Sequence, residues 1–228
     1  MSVMARRLFL HGMRRMQREQ VAAPRYDPIQ VEYLSENCIA VDENDQIIGG
    51  MTKGEAHRVE TLGLNRAFSL FAFTPDKKLI LQKRSPTKLS SHPLIASEQS
   101  CATGVVTAVV RKIEHELGFV DLKPKECHVM GRFLYKALGA DSLWGEHELD
   151  YAVVTKNLPI NRLTPNPEEV SDIRAVHEKE LADWIASESS SFSPWFRLFD
   201  RLRFLSECWS NVDHIENHPV NMSIVRMN

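Results

Sequence analysis

The chain has 228 residues, 43% hydrophobic and 25% charged, with a formal net charge of −2. This length and balance suit one globular domain with a substantial core and exclude a disordered chain. The near-neutral total offers no bulk attraction to nucleic acid or anionic membrane, and no apolar run approaches the ~18 residues of a spanning helix.

The first segment is set apart by charge. No acidic residue precedes Glu19, whereas Arg6, Arg7, Arg14, Arg15 and Arg18 all fall there. Wound as a helix, Arg7, His11, Arg14 and Arg18 share one face, with Phe9, Met13 and Met16 on another. Residues 1–28 therefore read as a mitochondrial presequence, or as a disordered basic tail on a cytoplasmic or peroxisomal protein. Pro24 and Pro28 interrupt any helix before the domain, placed at 29–228.

Cys38–Val41 and Gln46–Ile48 flank Asp42-Glu43-Asn44-Asp45, which predicts a hairpin with an Asx-rich turn. A second hairpin is expected from Ala67–Phe73, the turn Thr74-Pro75-Asp76-Lys77, and Leu79–Leu81. Residues from about Ser97 to Leu117 predict a helix, with Val106, Val110, Ile113 and Leu117 as its apolar stripe and Gly118 as its C-cap. Strands are expected near Val129–Tyr135 and Leu149–Val154, then a Pro-rich loop at Pro159, Pro165 and Pro167. Glu178–Ala186 and Trp195–Trp209 read as two further helices. With no internal repeat, one α/β domain is the simplest organisation.

Two stretches could carry chemistry. On the first helix, Lys112 and Glu116 lie one turn apart, opposite the valine stripe. Such a carboxylate beside a cation suits magnesium bridged to a phosphate, and equally an ordinary surface ion pair. In Trp144-Gly145-Glu146-His147-Glu148-Leu149-Asp150-Tyr151, a strand's period of two puts Glu146 and Glu148 on one face and His147 on the other. Adjacent carboxylates repel unless a metal or shared proton lies between them; the alternative is an exposed edge strand. His57, His92, Arg84 and Lys88 are isolated signals, the two basic residues being suited to phosphate oxygens or to solvent. The four cysteines are Cys38, Cys101, Cys127 and Cys208. They form neither a disulfide framework nor a zinc-knuckle spacing.

Taken in order, several segments resemble the type I isopentenyl-diphosphate isomerases of the Nudix superfamily. They are Cys38–Asp45, Asn65–Ser69, Gln82–Ser85, Ser91–Leu94, His115–Gly118, Trp144–Tyr151 and Pro194–Phe196. The resemblance implies a Nudix-type α/β/α sandwich with a mixed central sheet. It also implies interconversion of isopentenyl and dimethylallyl diphosphate in isoprenoid biosynthesis, with a small-molecule diphosphate as the only implied partner. His57, His92, Glu146 and Glu148 then match ligands of a Zn2+ or Mn2+ site, and Glu116 the carboxylate for Mg2+. Arg84, Lys88 and Lys112 match diphosphate-binding positions. Among catalytic positions, Glu148 and Tyr135 lie near the reacting carbons, Tyr135 with a spacing to Glu146 one residue longer than usual. Trp195 matches the indole whose face stabilises a developing carbocation.

The chain departs from that pattern in two places. The family carries its essential cysteine one residue before His-Pro, in a loop for which about ten residues are missing here. Lys88-Leu89-Ser90 runs directly into Ser91-His92-Pro93, and Ser90 stands where the cysteine would be. Asn65 also replaces a second metal-binding histidine. The implied expectation is an impaired isomerase, with a catalytically silent Nudix-fold protein, binding metal or diphosphate or acting in regulation, as the alternative. A Nudix hydrolase fits less well, because Lys112 and His115 occupy positions where that chemistry needs carboxylates.

Overall fold

The computed structural model describes residues 28–86, 101–139 and 142–227. The basic leader, the predicted helical start at 97–100, Lys88, Ser90 and His92 lie outside the described residues.

A short helix α1 (Pro28–Tyr33) precedes the hairpin of β1 (Asn37–Val41) and β2 (Ile47–Thr52). Its turn follows from Asp42, whose Oδ1 accepts the N–H groups of Asn44 and Gln46 at 2.9 and 2.8 Å. Next comes α2 (Lys53–His57), closed by a capping box. The Glu55 N–H donates to Thr52 Oγ1 at 3.2 Å, and the Thr52 N–H donates to Glu55 Oε2 at 2.8 Å. This Thr-x-x-Glu pattern fixes the start of a single turn that ends on His57.

β3 (Asn65–Ala72) and β4 (Leu79–Arg84) differ from the expected hairpin. The turn forms as expected, with the Thr74 N–H donating to Lys78 O at 2.9 Å, but pairing stops at the isolated Phe73–Leu79 bridge. β3 is buried on both faces and enters the middle of a larger sheet, as near-continuous apolar strands do. Local alternation marks a strand without naming its partner.

The next helix, α3 (Cys101–Leu117), ends on Gly118 at φ 63°, whose N–H donates to Glu114 O at 2.9 Å. A Cβ at Gly118 would also lie 2.9 Å from Thr164 O, so a tight approach adds to the need for glycine. The buried stripe centres on Val105, Val109, Ile113 and Leu117, with the predicted Val106 and Val110 only flanking it. β5 (His128–Leu138) and β6 (Gly145–Thr155) extend the two strands expected there.

β7 (Val170–Val176) was not legible as a strand because its exposed, charge-interrupted pattern has little apolar signal; it pairs with β4 in a separate two-stranded sheet. α4 (Glu178–Glu188) follows. The single helix expected at 195–209 is two, α5 (Pro194–Arg201) and α6 (Phe204–Asn211). Arg203 at φ 59° breaks it, and the bend brings Phe199 and Phe204 together at 5.2 Å. β8 (Asn221–Met227), also not predicted, closes the main sheet through pairing with β5 rather than through alternation of its own.

The six-stranded sheet has order β2-β1-β3-β6-β5-β8. β3–β6 and β5–β8 are parallel and the other pairs antiparallel, giving the expected mixed sheet. α3 packs on one face over Leu149, Tyr151 and Val153. α5 and α6 pack on the other, where Phe71, Phe133, Phe199 and Phe204 stand 4.7 to 5.2 Å apart. Such edge-on pairs add about 0.5–1.5 kcal/mol each beyond area burial. The sheet therefore lies between helical layers, an α/β/α sandwich.

Asp45, in the turn between β1 and β2, ties β3, β5 and β6 together at one end of the sheet. It accepts Arg66 Nε at 2.7 Å and Arg132 Nη1 at 3.0 Å, as well as the Tyr151 hydroxyl, while Arg132 also reaches Met222 O. Asp45 and Arg66 are both buried. Asp45→Ala strands the guanidinium of Arg66 and is expected to cost about 3–5 kcal/mol. Urea unfolding checks this; a loss under about 1 kcal/mol would mean the network is dispensable.

Candidate active site

The candidate site is a row across the face that carries the aromatic layer. Strand register places Asn65 of β3 beside Glu148 of β6, and Glu148 beside Tyr135 of β5. Glu146 sits opposite Ala137 two residues before Glu148 and shares its face, while His147 points to the opposite side. β6 is an interior strand, so the exposed-edge alternative for the two glutamates is excluded.

α2 brings in His57 from outside the sheet. Its Nδ1 lies 2.9 Å from the Lys53 carbonyl, and its Nε2 lies 3.4 Å from Glu148 Oε1. A carbonyl only accepts, so Nδ1 carries the hydrogen. Nε2 then faces the carboxylate either as a second N–H or as a lone pair that needs a cation between the two. The other oxygen of Glu148 accepts the Tyr135 hydroxyl at 2.5 Å, and that hydroxyl is 3.5 Å from Glu146 Oε2. Burial pushes the Tyr135 phenol well above its ordinary value, with the charges of Glu148, Glu146 and Asp150 adding to it. Tyr135 is thus a protonated donor held against a carboxylate pair.

Asp150 was not assigned a role from the sequence, although it completes the acidic face. It is fully buried; Oδ2 accepts the Ser69 hydroxyl at 2.5 Å and Oδ1 has no partner. Burial, then the charge of Glu148, raises its carboxyl well above the ordinary range, the Ser69 bonds opposing. A folded value above the unfolded one gives stability that is complete below about pH 4 and lost as pH rises through the folded value. Asp150→Asn should remove that fall. Denaturation midpoints compared across pH 4–9 should therefore diverge, the variant gaining relative to the parent as pH rises; parallel curves would sink this reading.

Glu116 and Lys112 come from α3, where Glu116 is buried and the Lys112 ammonium is 3.6 Å from its Oε1. This is a sheltered pair, unlike an ordinary surface one. The loop after β6 is pinned to the same helix end, the Thr164 and Asn166 N–H groups donating to Leu117 O and Glu116 O at 2.7 and 2.8 Å. Lys53 is a buried cation that the sequence reading passed over, and it lies over the Tyr33 ring at 5.9 Å. Burial lowers its ammonium; Lys112 and Arg84 add to that while Glu36 and Glu169 oppose it. Lys53, Lys112 and Arg84 therefore share one electrostatic neighbourhood. The signal that could have found Lys53 is the capped turn it shares with His57.

Arg84 is exposed at the end of β4. Trp195, near the start of α5, is half-buried against the aromatic layer that includes Tyr135, 6.1 Å from Phe199. Lys88 and His92 lie outside the described residues. Among the described residues, no three His, Cys, Asp or Glu side chains form a group that could hold a metal ion. The nitrogen and oxygen donors at His57, Glu146, Glu148 and Asn65 are nonetheless of the kinds that hold Mn2+ or Zn2+, and Glu116 is of the kind that holds Mg2+. Cys38 lies near Glu148, but burial pushes its thiol up to about 12.

Comparison with known proteins decides the lineage. A NUDIX domain matches residues 63–196. Over 223 residues the chain is 36% identical to isopentenyl-diphosphate Delta-isomerase 1 of Mesocricetus auratus, covering 88% of this chain and 96% of that one. The chain belongs to the isopentenyl-diphosphate Delta-isomerase family. Isopentenyl-diphosphate Delta-isomerase 1 of Bos taurus is 35% identical over 230 residues, covering 91% of this chain and 99% of its own. The chloroplastic isopentenyl-diphosphate Delta-isomerase I of Arabidopsis thaliana is 38% identical over 220 residues, covering 85% and 73%. The family assignment and the Nudix α/β/α fold expected from the ordered motifs both hold. Within this isomerase family member, the Trp144–Tyr151 octet is the start of an interior strand that turns both glutamates toward Tyr135.

Proposed function

We propose that this chain binds isopentenyl and dimethylallyl diphosphate and interconverts them by protonation and deprotonation, with turnover depressed by the missing cysteine loop. The observation that carries this is the buried Tyr135 hydroxyl, held between Glu148 and Glu146 beside His57. An unactivated alkene is a poor base, so it needs a positioned acid on one face and a matching base on the other. A proton adds to the terminal methylene carbon, a tertiary cation develops at the adjacent carbon, and a proton leaves the neighbouring methylene. Tyr135 and Glu148 hold and exchange the proton on one face. The resemblance gives the other proton transfer to the family's cysteine, and this sequence has Ser90 at that position. Trp195 offers an indole to the cation, a contact giving ~2 kcal/mol when desolvated.

His57, His92, Glu146 and Glu148 would hold Zn2+ or Mn2+, and Glu116 would hold Mg2+ against the diphosphate. Bound there, a divalent cation would supply positive charge to offset the carboxylates and the phosphate oxygens. Arg84, Lys88, Lys112 and Lys53 bind the remaining phosphate charge, and the buried ammonium of Lys53 favours a dianionic group over water.

Incubation with isopentenyl diphosphate and Mg2+ in D2O, followed by NMR of the diphosphates, tests the proposal. The expected result is slow deuterium incorporation with formation of dimethylallyl diphosphate. Calorimetric binding with no incorporation above a protein-free control would instead support a silent diphosphate-binding protein. The serine in the catalytic loop is the observation that favours that second reading.

A further inference from the structure

We infer that Met227 of β8 forms the apolar wall of the site, and that its thioether limits the size of the hydrocarbon branch admitted there. The inference rests on the proposed binding of isopentenyl diphosphate and deepens it.

The row across the sheet does not stop at Tyr135. Asn65 pairs with Glu148, Glu148 with Tyr135, and Tyr135 with Met227, so four strands contribute one residue each at the same level. Alternation along β8 fixes the direction of the thioether. Val225 and Met227 pack with the aromatic layer, whereas Ile224 packs on the α3 side and Arg226 reaches Glu43 at 2.7 Å. Met227 therefore shares the face of Tyr135 and Glu148. It is buried, in a layer that also holds Phe196 and Phe199 and has half-buried Trp195 packed against it.

The face changes character at this level. One step deeper, Phe133 stands opposite Asp150, and both are buried. One step outward, β5 and β6 continue with Ala137 opposite Glu146, and both are only half-buried. Among the described residues, the pairing of β8 with β5 goes no further outward than Met227. The row is thus a floor that is polar at one end and apolar at the other. α2, with His57 and Lys53, stands at the Glu148 end, and the thioether at the opposite one.

Isopentenyl diphosphate has the same polarity, an anionic head joined to a branched hydrocarbon that makes no hydrogen bonds. Carbons placed against Tyr135 for proton exchange fall beside Met227, because the two residues are register neighbours. A methionine side chain is unbranched and polarizable, so it follows an irregular apolar shape and favours aromatic contact. Its length sets the room left for the branch. One methylene more or less in a hydrophobic pocket changes discrimination by roughly 10–200-fold.

The test uses the full chain with Mg2+ and calorimetric binding of isopentenyl diphosphate, of the homologue whose branch methyl is replaced by ethyl, and of inorganic diphosphate. Met227→Ala is expected to shift preference toward the homologue by ~10-fold or more, with inorganic diphosphate changing less than about threefold. Met227→Leu, close in volume, should keep the preference of the parent. In the parent carrying methyl-labelled methionine, the Met227 signal is assigned by its loss in Met227→Leu. It should shift with isopentenyl diphosphate and stay in place with inorganic diphosphate. That readout needs neither turnover nor a folded alanine variant. An unmoved methyl signal at saturating isopentenyl diphosphate, unchanged discrimination in folded Met227→Ala, or equal losses for all three ligands would overturn the inference and leave the proposed binding standing. A parent chain that binds no isopentenyl diphosphate would overturn both.

Discussion

Inserting a cysteine-bearing segment of about ten residues between Ser90 and Ser91 is expected to raise isomerase turnover by ~10²–10⁴-fold. That range is what a positioned general acid or base contributes to a proton-transfer step. Three of the four thiols, those of Cys38, Cys127 and Cys208, are poorly placed to supply it. Cys38, Cys127 and Cys208 are all buried, and burial pushes each up to about 12. Ser90 is no substitute, because an alcohol is a far weaker acid than the ordinary thiol at about 8.5. The measurement is deuterium exchange into dimethylallyl diphosphate for three proteins: the parent, the extended chain, and the extended chain with serine at the inserted cysteine. Loop length and thiol are thereby separated. Rate recovery only in the cysteine form assigns the defect to the missing acid or base, while equal rates in all three would refute impairment.

The legible parts of this molecule are those that a local pattern encodes. The Asx turn at Asp42, the Gly118 cap and the alternation of Glu146, His147 and Glu148 each depend on residues a few positions apart, and the structure keeps all three. Partner choice is different. Nothing local distinguishes a β3–β4 hairpin from β3 paired with β1 and β6, because the decision rests on which faces the rest of the chain covers. The split between α5 and α6 was hidden for a related reason. Arg203 is no helix breaker by composition, and only the aromatic layer on both sides rewards the bend. At the site, the ordered motifs named His57, Glu146, Glu148 and Tyr135. Lys53 and Asp150 escaped notice because their significance lies in burial, which makes an ordinary lysine and aspartate electrostatically unusual.

Glu148→Gln, made in the cysteine-restored background so that activity is measurable, is expected to lower turnover by about 10²–10⁴-fold. The substitution preserves volume and an oxygen for the Tyr135 hydroxyl, so a change in packing is not the cause. It removes the negative charge facing His57 Nε2 and with it the site's capacity to accept a proton. Two accompanying shifts distinguish this from simple damage. Glu148 raises the Tyr135 phenol, so the phenol should titrate lower in the variant, readable as tyrosinate absorbance appearing at lower pH than in the parent. Metal affinity should also weaken by at least ~10–100-fold, as expected when a charged ligand becomes neutral. Tyr135→Phe is the discriminating companion. It deletes the shared proton but leaves both carboxylates, so turnover should fall while Mn2+ affinity changes little. If the two variants lose turnover and metal affinity in the same proportion, Tyr135 is holding the carboxylates in place and the proton passes elsewhere.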